Sequence, residues 1–123
     1  MKNNPVGWFE IYVQDLDRAK TFYESVFQLK LEKLNTPELE IWAFPMDKER
    51  WGAGGALVKM DGFPSGGNSV LVYFGCEDCS VEAARAAQSG GRIQREKMSI
   101  GEYGFISLVF DTEGNMIGLH SMQ

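Results

Sequence analysis

Residues 8–27, WFEIYVQDLDRAKTFYESVF, set out a strand, a helix start and an amphipathic helix in one uninterrupted run. Between Val6 and Val13 the side chains alternate. Phe9, Ile11 and Val13 share one face, which is wholly apolar and suits a core; Trp8, Glu10 and Tyr12 share the other, which is mixed and suits a pocket or a partly wet surface. Asp15 then has the side chain of a helix N-cap, able to accept from the first free backbone N–H groups. From Leu16 to Phe27 the apolar residues Leu16, Ala19, Phe22, Tyr23, Val26 and Phe27 recur three and four apart, forming one stripe that fits the Phe9/Ile11/Val13 face.

Working outward, short strands are expected over Leu29–Leu34, Leu39–Phe44 and Gly55–Met60. Residues 61–68, DGFPSGGN, are rich in turn formers and read as a linker. Beyond them the order starts again. Ser69–Cys76 is a strand, and Asp78 or Ser80 caps a helix that runs to about Ser89, with Val81, Ala84, Ala87 and Gln88 along one side. Gly90-Gly91 closes that helix, and strands fit Arg92–Met98, Tyr103–Phe110 and Asn115–Met122. The segment Asp111-Thr-Glu-Gly-Asn115 has hairpin-turn chemistry. Two stretches match at an offset of about sixty residues: Glu10–Asp15 with Tyr73–Asp78, and Gly54–Met60 with Met116–Met122. A repeated order at a steady offset implies a duplicated unit. The expectation is therefore one α+β domain of two β-α-β-β-β modules, about 5–60 and 69–123, whose sheets curve around a shared pocket with the helices outside.

Composition bounds the function. The 123 residues are 44 % hydrophobic and 24 % charged, with a formal net charge of −5. Nucleic acid is disfavoured, because phosphate recognition needs clustered cations, and the densest basic group, Arg92, Arg95 and Lys97, sits beside Glu96. No apolar run is long enough for a membrane span, and Met1–Pro5 has no signal-like stretch, so no membrane partner and a cytoplasmic location are expected. Two cysteines do not make a secreted disulfide framework.

The run from Trp8 to Phe27 resembles the opening module of the vicinal oxygen chelate superfamily, which includes glyoxalase I, bleomycin-resistance proteins and extradiol dioxygenases. The ending GFISLVFDTEGNMIGLH, Gly104 to His120, resembles its closing hairpin, and WFEIxV with GLHS is similar to glyoxalase-like members of unassigned activity. The resemblance implies paired β-α-β-β-β modules, a homodimer, a small organic ligand and, in metal-binding members, a divalent ion held by one residue from the first and one from the last strand of each module. Carried over by position, those four slots fall on Trp8, on Gly55 or Ala56, on Leu71 and on Gly118. None supplies a metal-ligating side chain, so no cofactor is expected and a divalent metal is disfavoured.

Glu10 and His120 lie two residues beyond two of those slots and should share their face. An imidazole near a carboxylate can be fixed in one tautomer or move protons, which makes Glu10 and His120 candidate catalytic residues; a polar pair bonded within the sheet is the plainer alternative. Two ligands alone make a poor metal site. Trp8, Tyr12, Trp42, Tyr73 and Tyr103 are candidates to line an aromatic ligand pocket, and Pro45–Gly54, flanked by Trp42 and Trp51, reads as a loop over its mouth. Core or dimer packing would use the same residue types. Cys76-Glu-Asp-Cys79 lacks the second pair of a zinc site and the surroundings of a redox fold. Gly52–Gly55 leads into a strand, so it lacks the helix N-terminus that binds phosphate. Two functions follow: a small-molecule binder with an aromatic pocket, or an isomerase or lyase using Glu10 and His120, with or without a metal.

Overall fold

The computed structural model describes residues 4–37, 39–47, 49 and 51–123. Strand β1 (Trp8–Tyr12) leads into helix α1 (Leu16–Phe27), then β2 (Glu32–Leu34), β3 (Glu40–Ala43) and β4 (Gly54–Lys59). The second half repeats the order: β5 (Tyr73–Gly75), α2 (Cys79–Gln88), β6 (Arg92–Ser99), a 3-10 turn at Gly101–Tyr103, β7 (Phe105–Phe110) and β8 (Met116–Ser121). Each half makes one four-stranded mixed sheet, ordered β1-β4-β3-β2 and β5-β8-β7-β6. In both, the first strand pairs in parallel with the last and the rest are antiparallel. This is the expected α+β arrangement of two like modules.

The helices form where the sequence places their caps. Asp15 accepts from Arg18 N at 3.0 Å, and Asp78 from Ser80 N at 3.0 Å. Helix α1 buries Leu16, Ala19, Phe22, Tyr23 and Val26, the stripe its spacing predicts. Helix α2 corrects its expectation: Cys79, Ala83 and Ala86 are buried, while Val81 is 45 % exposed. The Ser121 hydroxyl accepts from Cys79 N at 3.0 Å, which turns Cys79 inward and carries the residues four and seven further on with it. The strand register agrees with the alignment of the two halves. Glu10 pairs with Ala56 and Tyr73 with Gly118, and Val13 N and Cys76 N, each two residues before its helix cap, donate to Val58 O and His120 O, so Tyr73 is the counterpart of Glu10 and Gly118 of Ala56. Residues 13–15 link strand to helix in the first module and residues 76–78 in the second, links of equal length.

One core serves both sheets. Ile11, Val13, Phe22 and Leu57 pack in the same cluster as Val109, Ile117 and Leu119. Phe74 of β5 reaches into a set of first-half rings: Phe27 at 4.4 Å between centroids, Phe44 at 5.6 Å, and Phe9 and Tyr23 each at 6.1 Å. The polar seam is the turn between β7 and β8. The Glu113 side chain is fully buried and accepts from Arg18 Nε at 2.7 Å, Asp15 N at 2.9 Å, Gln14 N at 3.0 Å and Thr112 Oγ1 at 3.0 Å. Asp111 accepts from the Tyr23 hydroxyl at 2.7 Å, and Asn115 donates to Tyr12 O at 3.0 Å. The linker docks on the same turn, through Ser65 Oγ to Glu113 O at 2.7 Å and Gly66 N to Asn115 Oδ1 at 2.6 Å.

Burial would raise the Glu113 pKa, but the bonds from Arg18, Asp15, Gln14 and Thr112 outweigh it and hold the carboxyl down at about 2, from an ordinary 4.5. A depressed acid stabilises the fold above its unfolded pKa and loses that contribution as pH falls through the folded one. Asp111 runs the other way: burial raises its pKa, so ionising it works against the fold. Glu113→Gln should therefore cost about 2–4 kcal/mol at neutral pH, measured by denaturant unfolding. The gap from the parent should close as pH drops from about 4.5 to about 2. A constant gap across that window would show that the carboxylate charge does not hold the halves together.

Candidate functional site

Pairing decides which side chains face away from the helices. Glu10 pairs with Ala56 and Tyr12 with Val58, and those partners pair with Ala43 and Ile41, so all six share one face. In the first sheet this face is largely filled by its own residues: Ile41, Ala43, Ala56 and Val58 form a buried cluster with Tyr12, Leu34, Leu39 and Met60 against it. The second sheet differs. A row across three strands places His120 between Gly75 on β5 and Ile106 on β7, and the next row places Gly118 between Tyr73 and Leu108. A cavity of about 470 Å³ opens there, lined by Trp51, Tyr73, Gly75, Ile100, Ile106 and His120. Its walls are aromatic and aliphatic, with one imidazole, the balance expected of a small-molecule pocket.

Two backbone features shape it. A Cβ on Gly118 would stand 2.3 Å from the Tyr73 ring, so the ring lies flat against the sheet because residue 118 has no side chain. The 3-10 turn Gly101–Tyr103 ends at Gly104, whose φ of +104° and close approach to Ser121 O suit glycine. That tight turn brings the Tyr103 carbonyl oxygen to 2.6 Å from His120 Nε2. A carbonyl only accepts, so His120 donates from Nε2 and is held in that tautomer when neutral.

The other candidates are dispersed. Glu10 accepts from Trp8 Nε1 at 3.2 Å and from the Tyr12 hydroxyl at 2.8 Å, and that carboxylate raises the Tyr12 pKa. Glu10 and Tyr12 line a separate cleft of about 200 Å³ near Asn68, Val70 and Asn115, so Glu10 and His120 open onto different cavities. Tyr12 stacks on Phe63 at 5.0 Å. Trp8 lines a crevice of about 580 Å³ with Met46 and Trp51. Trp42 lies on the helix side, paired with Leu57 and capped by Lys20 Nζ at 4.4 Å from its ring centre. Tyr103 contributes its carbonyl, and its ring is 68 % exposed. Gly75, Ile100 and Ile106 went unrecognised in the sequence; the alternation of β7 and the glycine beside His120 are the signals that mark two of them. Trp51, expected only to flank a covering loop, is itself a wall and is 90 % exposed.

The register leaves unchanged the four positions at which metal-binding relatives are expected to carry ligands. They are Trp8, Gly55 or Ala56, Leu71 and Gly118, and Ala56 and Gly118 are counterparts in the strand register. These side chains do not fit a divalent ion, and among the described residues no cluster of three His, Cys, Asp or Glu side chains stands close enough to hold one.

The family model for the Glyoxalase/Bleomycin resistance protein/Dioxygenase superfamily matches residues 6–119. None of the curated proteins matches the sequence. Glyoxalase I from Zea mays superposes with a TM-score of 0.73 at 22 % identity, covering 95 % of this chain but 46 % of that one, so the chain spans about half of that enzyme. TnmS3, an antibiotic binding protein from Streptomyces sp. CB03234, superposes with a TM-score of 0.70 at 24 % identity over 100 % of this chain and 99 % of that one. A glyoxalase/bleomycin resistance protein/dioxygenase family enzyme from Burkholderia phytofirmans PsJN gives 0.71 at 13 % identity, over 95 % and 98 %. At these identities the structural likeness speaks for the fold.

The paired cysteines stand apart from this cavity. Burial, reinforced by the Glu82 carboxylate, pushes the Cys76 thiol up to about 12, and Cys79 is fully buried. Alkylation by iodoacetamide at mildly alkaline pH should therefore run more than about a hundredfold slower in the folded protein than in denaturant. Rapid modification of Cys76 in the folded protein would contradict this description of its surroundings.

Proposed function

The chain belongs to the Glyoxalase/Bleomycin resistance protein/Dioxygenase superfamily, and from that premise we propose that it is a binding protein for a small, flat, largely apolar organic molecule held on the second sheet. The observation that carries this reading is the Tyr73–Gly118 pair. On Gly118, one of the positions where metal-binding relatives are expected to place ligands, this chain lays the Tyr73 ring flat, making a stacking surface at the wall of the cavity. Ile100, Ile106 and Trp51 supply apolar surface around it, and His120 is the polar group that orients an occupant. The likeness to an antibiotic binding protein over the full length of both chains supports a binding role. The isomerase or lyase alternative requires Glu10 and His120 to act on one substrate, and their placement in separate cavities does not favour it.

A homodimer is part of the same reading. Trp51, Tyr103, Met46 and Met122 leave much apolar surface around the cavity mouth in a single chain, and a second copy would cover it. Light scattering after gel filtration should return twice the mass of the chain; a monomer would remove this part of the proposal.

Binding is testable at Gly75, where an added Cβ meets open space and a longer side chain would fill the cavity without disturbing the sheet. Indole serves as the probe, titrated calorimetrically. Gly75→Leu and Tyr73→Ala should each weaken binding about tenfold or more, whereas Glu10→Gln should change it less than about twofold. Indole affinity insensitive to Gly75→Leu would place its site elsewhere and overturn the proposal.

A further inference from the structure

We infer that the cavity selects a ligand that offers a hydrogen-bond donor, an N–H or O–H at the edge of a flat ring system, and that His120 Nδ1 is the atom that accepts it. This rests on the proposed binding role and narrows it to a chemical class. His120 lines the cavity, yet one of its two ring nitrogens is already committed: Nε2 donates to the Tyr103 carbonyl, whose residue is not part of the lining. A neutral imidazole has one N–H and one lone pair, so spending the N–H on that carbonyl leaves the lone pair on Nδ1. Among the described residues Nδ1 has no hydrogen-bond partner. Carbonyls and ethers on a ligand could not be recognised there, because two acceptors would face each other. An N–H or O–H would satisfy both sides, and burying Nδ1 under a ligand without a donor would cost the bond to water it gives up.

The device lies mostly in the backbone. Ile100 N donates to Gly104 O at 2.8 Å and Gly104 N to Gly101 O at 3.2 Å, closing the loop that aims the Tyr103 carbonyl. A backbone acceptor keeps its role whatever the pH, unlike the carboxylate first considered as a partner for this histidine. Gly75 and Ile106, as the cross-strand neighbours of His120, put no polar group beside it, so the ligand's donor meets a single acceptor in apolar surroundings, where a hydrogen bond discriminates most.

Indole and benzofuran are near-isosteres that differ in the N–H, and their affinities can be compared for the parent protein and for His120→Phe. The expected result is that the ratio of the two affinities favours indole about three- to tenfold more in the parent than in His120→Phe; taking the ratio cancels the probes' different hydrophobicities. Because His120 is the only histidine, its ring nitrogens can be followed in the same samples by long-range ¹H–¹⁵N NMR at mildly alkaline pH. They should report the Nε2–H tautomer, with the Nδ1 resonance moving on addition of indole and much less with benzofuran. Equal ratios in the two proteins, or an Nδ1–H tautomer, would overturn the donor selectivity while leaving the binding role standing. Failure of both probes to bind the parent would overturn the two together.

Discussion

The Glu113 carboxylate is the constraint on which the rest of the structure depends. It sits in the turn of the last hairpin, fully buried, and takes hydrogen bonds from the backbone entering α1 and from the Arg18 side chain. A buried anion is tolerable only where donors surround it. Those donors exist only when the corner between β1 and α1 of the first half meets the turn between β7 and β8 of the second. The charge thus specifies one relative placement of two modules that apolar packing alone would hold less selectively. The Phe74 ring, inserted among Phe9, Tyr23, Phe27 and Phe44, adds the apolar part of the same junction.

That placement reaches the candidate site through the chain. With the halves locked, Trp51, from the segment before β4, stands over the open face of the second sheet and becomes a wall of its cavity. The two sheets, though duplicated in order, have parted in use. The first covers its face with Ile41, Ala43, Ala56 and Val58. The second keeps Gly75, Gly118 and His120 there, two residues without side chains and one with a polar ring, and so stays open. His120 is the counterpart of Val58 in the strand register, which makes it a specialisation of the second module and not a relic of the repeat.

The fold was legible because its signals are local. The α1 stripe, the Asp15 and Asp78 caps and the alternation of β1 each involve residues close in sequence, and they recur in the second half. What was not legible needed pairing between distant strands. Nothing near Trp42 says that it shares a face with Leu57 under a helix, and nothing near Glu10 says that Trp8 and Tyr12 will occupy its carboxylate. The pairing of Tyr73 with Gly118 likewise joins strands more than forty residues apart in sequence. The α2 stripe was misread because Ala is weakly apolar, and a hydrogen bond from Cys79 N to Ser121, over forty residues away, set the rotation of the helix.

The central claim is that an occupant lies on the second sheet against Tyr73. The most direct measurement is the set of intermolecular nuclear Overhauser contacts between bound indole and the protein's side chains. The account predicts contacts to the Tyr73 ring, the Ile106 methyls and the Trp51 indole. Contacts confined to Tyr12, Phe63 or Val70 would put the ligand in the cleft beside Glu10 and contradict it.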